Sequence, residues 1–182
     1  MKRAYVLLAD GFEVIEALAT VDVLKRGGVE VVTLSIGDSL DVASSQQIVV
    51  QADALLSAAD LSDGDALVLP GGYPGYENLA AEGAVLKVVV DYCNSGRFVA
   101  AICGAPTVLV AAGVAGGRLM TCHSGVREAM WGCQLSDKSV EQDANIITGI
   151  GAGHSIEFAL CLLEALTDVG TVDGVRRAME LD

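Results

Sequence analysis

Strand-sized apolar runs that stop abruptly on small or turn-forming residues constrain this chain more than any other feature. "RAYVLLA" (3–9) ends at Asp10 and Gly11, "VEVVTLSIG" (29–37) on its own glycine, and "DALVLPGG" (65–72) on Pro-Gly-Gly. These runs carry too few polar residues for a strand with one wet face. They read as strands covered on both faces, the situation of a parallel sheet clad by helices.

Helical patterns separate the runs. "DGFEVIEALATVDVLKRGG" predicts a helix over about 13–26, closed by Gly27 and Gly28, with Asp10 able to cap its start. Further helices are expected at about 83–95, in "PTVLVAAG" up to Gly113, in "SGVREAMWG", in "GHSIEFALCLLEALTD" and in "TVDGVRRAMEL". "QQIVVQAD" (46–53) reads as a short strand or hairpin arm, followed by "LLSAADL" as a brief helical link. "RLMTCH" (118–123) and "KSVEQDANIITGIG" supply the later strands. This alternation predicts an α/β fold with a doubly wound, mostly parallel sheet sandwiched by helices. Residues 1–182 read as one domain without linker or repeat.

Bulk properties narrow the function. Eleven basic residues face 24 acidic ones, a net charge of −13 that opposes binding to nucleic acid or anionic lipid. No apolar stretch is long enough to span a membrane, and the short basic head lacks a signal-peptide pattern. The five cysteines are an odd number without a CxxC pair, which argues against a disulfide framework and against a structural metal site. A reducing, cytoplasmic location is expected.

One run ends differently. In "FVAAICGAPTV" (98–108) the strand drives straight into Cys103, then turns on Gly104, Ala105 and Pro106 into a helix. A strand that ends on a nucleophile and turns sharply lifts that side chain to the top of the sheet, where ligands of such folds bind. The helix start aims N–H groups at the sulfur and favours a low thiol pKa. A thiol in this place can equally be a small core hydrophobe.

"VLPGG" followed some thirty residues later by "AAICGAPTVL" resembles the ThiJ/PfpI superfamily, and most of all its DJ-one-like branch. "LLADGFEVIEALATVDVLKRGG", "TCH" and "GAGHSIEFAL" extend the resemblance over essentially the whole chain. It implies a flavodoxin-like fold of the class I glutamine amidotransferase kind, with Cys103 as nucleophile. It also implies that Glu16, from the first helix, lies against the sulfur. Glu13, one turn earlier, reads as a capping-box partner. A carboxyl buried beside a thiolate is expected to be protonated. His123 falls where the branch often carries a histidine near the cysteine. Gly72 and Gly104 can offer N–H groups to an oxyanion, while Gly71 serves mainly the turn. His154 lies near the late glycine turn, its role open among cap, rim group and base.

The resemblance implies a cofactor-free enzyme acting on small aldehydes. It would convert methylglyoxal or glyoxal to hydroxy acids, a glyoxalase III-like activity, or carry out the related deglycase repair. A redox-sensing or chaperone-like protein using an oxidisable Cys103 is the alternative. A peptidase reading is weaker, because Gly104 stands where that branch places a histidine. A homodimer is implied, with the first helix and "QQIVV" near the interface.

Overall fold

The computed structural model describes residues 1–181. In chain order its elements are β1 (Arg3–Leu8), α1 (Val14–Arg26), β2 (Glu30–Ser35), β3 (Asp41–Ala43), β4 (Val49–Gln51), β5 (Ala54–Leu55) and β6 (Ala66–Leu69). There follow α2 (Gly75–Ala81), α3 (Gly83–Asn94), β7 (Phe98–Ile102), α4 (Pro106–Ala111), β8 (Leu119–Met120), β9 (Gln134–Leu135), β10 (Val140–Asp143), β11 (Ile146–Gly149), α5 (Ser155–Leu166) and α6 (Val169–Ala178).

Seven strands form one sheet in the order β10-β11-β7-β6-β1-β2-β5. Every pairing in it is parallel except the β10–β11 hairpin at one edge. Side chains alternate between two buried layers. Ala4, Val6 and Leu8 of β1 face the layer that α1, α5 and α6 complete. Tyr5 and Leu7 face the layer completed by α3 and α4. Both faces of the strand are thus covered, which is why its sequence is apolar without a break.

The topology places a crevice. From β1 the chain passes to β2 and β5 on one side, then crosses so that β6 pairs with β1 on the other. Such a reversal leaves a gap outside the carboxyl ends of the two strands, the usual ligand position in open α/β sheets.

One expectation needs correction and another is borne out within narrower bounds. "RLMTCH" is strand only at Leu119–Met120, because β8 pairs just with the two-residue β9 and then leaves it. The segment 46–53 narrows to β4, one arm of a separate hairpin with β3. "LLSAADL" contains a single 3-10 turn at Leu56–Ala58, as its reading as a brief link suggested. Among the described residues no helix is long and apolar enough to cross a membrane.

Candidate active site

Cys103 follows β7 directly, and α4 begins three residues later. Its φ is +65°, a left-handed conformation that costs a non-glycine residue about 1–2 kcal/mol. Main-chain bonds hold it there. The Cys103 N–H donates to the Gly149 carbonyl at 2.8 Å, and its own carbonyl accepts from the His123 N–H at 2.9 Å. The elbow is gripped from both sides.

Glu16 arrives from α1. The helix starts where it does because Glu13, in extended conformation, is itself the N-cap, and its carboxylate accepts the Glu16 N–H at 2.7 Å. Asp10 does not cap the helix. It accepts the Ala43 N–H at 2.9 Å and so ties down the β3–β4 hairpin. With the cap at Glu13, the first turn points Glu16 inward, and its exposure falls to 0%.

The Glu16 carboxyl then meets β6 and β7 at their ends. Its Oε2 accepts the Gly71 N–H at 2.8 Å. Gly71 therefore does more than serve the turn. A Cβ on it would lie 2.7 Å from the Cys103 Cβ and 2.8 Å from Glu16 Oε2. Only a residue without a side chain lets the carboxyl and the thiol converge there. The second oxygen, Oε1, is buried without a well-aligned partner. The Cys103 side chain stands beside the carboxyl, both meeting the position a Cβ on Gly71 would take.

Burial raises the Glu16 carboxyl to about 7, against the opposing pull of the Gly71 N–H and the thiol. Burial, reinforced by the Glu16 charge, pushes Cys103 up to about 12, while the Gly72 and Gly104 amides pull it down. This corrects the expectation of a thiol acidic on its own. Each group's charge disfavours the other's, so the two titrate as a coupled pair. While they hold one proton between them they share one negative charge, either as thiol and carboxylate or as thiolate and carboxylic acid.

His123 caps the 3-10 turn at Ser124–Ala129, its Nδ1 accepting the Gly125 N–H at 3.0 Å. That bond leaves the ring proton on Nε2 of the neutral imidazole. His123 lines an open cavity of about 320 Å³ together with Gly72, Tyr73, Tyr76, Cys103, Gly104 and Val126. His154 lies apart, its ring paired with Glu157 at 3.1 Å on the surface. Cys122 is buried in the α3–α4 layer.

Four lining residues, Tyr73, Tyr76, Gly125 and Val126, are not marked as a site in the sequence. Tyr73 and Tyr76 flank the start of α2, a helix that was itself missed. Pro74 and Gly75 after the paired glycines were the available signal, since proline favours helix starts. Among the described residues no cluster of His, Cys, Asp and Glu is disposed to hold a metal ion.

Residues 2–165 match the DJ-1/PfpI family. The chain is 37% identical over 169 residues to the Parkinson disease protein 7 homolog of Danio rerio, covering 91% of this chain and 89% of that one. It is 35% identical, with the same coverage, to the glutathione-independent glyoxalase DJR-1.2 of Caenorhabditis elegans. The crystal structure of Drosophila melanogaster DJ-1beta superposes with a TM-score of 0.97 at 32% identity, over 100% of this chain and 98% of that one.

Proposed function

The chain belongs to the DJ-1/PfpI family, and from that premise we propose that it converts small α-oxoaldehydes, methylglyoxal and glyoxal among them, to hydroxy acids without a cofactor. The observation that carries this reading is the buried Glu16 carboxyl set against a thiol on a strained elbow at the floor of an open cavity. The glyoxalase name of the Caenorhabditis elegans relative supports it.

The reactive form is the thiolate with Glu16 protonated. Sulfur bonds to the aldehyde carbon, and the carbonyl electron pair moves onto oxygen near the Gly72 and Gly104 amides. Glu16 protonates that oxygen, giving a hemithioacetal. As a carboxylate it then removes the proton from the same carbon, and the enediolate forms, its charge on the former ketone oxygen. Returning that proton to the neighbouring carbon, while the first hydroxyl's proton passes to the second oxygen, leaves a thioester. Water cleaves the C–S bond and releases the hydroxy acid. One of the two protons freed returns to Glu16 and the other leaves with solvent. His123 serves as an Nε2–H donor to the ketone oxygen, because its Nδ1 is engaged by Gly125.

A homodimer belongs to the same reading. Ile15 and Leu18 on α1, and Ile48 and Val49 on the hairpin, are apolar and solvent-exposed. The Ser45 N–H binds the Phe12 carbonyl at 2.9 Å, so these elements adjoin.

The test is lactate formation from methylglyoxal without glutathione, by the intact protein and by Cys103→Ser. Turnover that the serine variant lacks supports the proposal. If the intact protein turns over no oxoaldehyde, yet Cys103 gains two oxygens in mild peroxide, the redox-sensing reading replaces it.

A further inference from the structure

Resting on that reading of the site, we propose that the Cys103 cavity is shaped for α-oxoaldehydes carrying an aryl substituent, which the rings of Tyr73 and Tyr76 receive. Tyr76 stands beside the elbow itself. A Cβ on Gly104 would lie 2.4–2.8 Å from three carbons of its ring. The ring therefore forms the wall next to the sulfur. Tyr73 continues that wall to the mouth, its centroid 6.3 Å from that of Tyr76 and its plane tilted by 57°.

The pair leaves apolar surface open. Tyr73 is 67% exposed although it lines the cavity, and no core contact accounts for so large a ring in that position. Aromatic rings associate in tilted or offset pairs with centroids about 4.5–7 Å apart, and a third ring can join such a pair. Across the cavity stand Val126 and Gly125, which add no charge. Cys103 and His123 are the only titratable groups besides the two phenols in this lining. This lining holds no lysine or arginine for a substituent bearing phosphate or carboxylate, Arg127 lining instead the adjoining cavity beyond His123, whereas a flat uncharged substituent finds two rings. Size agrees, since a space of about 320 Å³ exceeds what a two- or three-carbon oxoaldehyde fills.

The experiment compares phenylglyoxal with methylglyoxal as substrates of the intact protein, Tyr73→Ala and Tyr73→Phe. Calorimetric titration with mandelate and lactate, the two corresponding products, runs alongside. The ratio of kcat/KM, phenylglyoxal over methylglyoxal, is expected to exceed one and to fall about tenfold in Tyr73→Ala. Tyr73→Phe retains it. An unchanged ratio in Tyr73→Ala overturns the proposal, and so does a Tyr73→Ala effect confined to oligomeric state. If neither aldehyde is consumed, the proposed chemistry fails and binding alone decides. Mandelate held about tenfold more tightly than lactate, with the difference lost in Tyr73→Ala, then upholds the aromatic site. Equal binding of the two acids refutes it.

Discussion

Two of the cavities at the carboxyl edge of the sheet differ in kind. One, about 370 Å³, lies outside β1 and β2 among Asp10, Ser35, Asp38, Asp41 and Asn78. The other, about 320 Å³, surrounds Cys103. The larger cavity holds three carboxylates, all exposed to solvent. Beside the smaller lies one carboxyl, fully buried, bonded by a single amide and pressed against a thiol. Volume and the number of acids thus single out the first cavity, whereas the proposed chemistry lies in the second. What distinguishes the second is restraint: its carboxyl is shielded from water and coupled to a thiol that main-chain bonds hold in place. Those conditions move protonation equilibria toward catalytic use.

The contrast is sharpest for the nucleophile. Cys103→Ser is expected to cut methylglyoxal turnover by about a thousandfold or more, in steady-state assays of lactate formation. A loss of only twofold would place the chemistry elsewhere.

Glu16→Gln comes next, with an expected loss of about a hundredfold, because the amide accepts the Gly71 N–H but moves no proton. The same variant tests burial through stability. In the folded protein the Glu16 carboxyl titrates at about 7 rather than 4.5. The native state therefore holds a proton that the unfolded chain releases between those pH values. Stability from this source is full below pH 4.5 and declines as pH rises toward 7. Above that, roughly 3 kcal/mol has been lost. Urea melts of Glu16→Gln should lack this decline and exceed the parent protein above pH 7.

Alkylation rates separate coupled from isolated thiols. Cys161, raised to about 11 by burial, should react about tenfold faster per pH unit between 7 and 10. Cys103 should instead rise to a plateau near pH 7, because the fraction of charge on its sulfur stays constant while the pair holds one proton. Mass-spectrometric mapping after brief iodoacetamide treatment reads both. A Cys103 rate that climbs in parallel with Cys161 breaks the coupling.

Gly71→Ala crowds the point where the two groups meet. A destabilisation of about 1–3 kcal/mol in chemical denaturation is expected, with turnover reduced. At the small end, Asp38→Asn and Asp41→Asn in the larger cavity should change turnover less than twofold. A larger effect would mean that the two cavities work together.

Much of the fold was legible because burial on both faces leaves an unbroken apolar record, as in "RAYVLL" and "FVAAI". The elements that went astray lie where sheet pairing is thin, such as β8, or where a short helix follows glycines, such as α2. At the site, Cys103 and Glu16 were marked by apolar neighbours and by the family resemblance. The cap was not, since Asp10 and Glu13 are both competent acceptors and only the position of the β3–β4 hairpin assigns each its donor. Nor were the tyrosines, because Tyr73 lies in a loop and Tyr76 in the first turn of a seven-residue helix, too short for periodicity to tell direction. The thiol's acidity was misjudged for a related reason. Helix-start amides are visible in sequence, whereas the depth of burial and the charge of Glu16 depend on packing.

The two main-chain bonds that hold Cys103 have a consequence for how this protein can change. Because Gly149 and His123 grip the elbow through backbone atoms, the position of Cys103 does not depend on which side chain stands at 123. Position and chemistry are inherited separately. Replacement of the imidazole, or of the rings at 73 and 76, alters what the pocket accepts and how it moves protons, while the sulfur stays where the strands put it. On the proposed function, a scaffold of this kind can acquire new substrates by exchanging its lining, one residue at a time, without rebuilding the elbow.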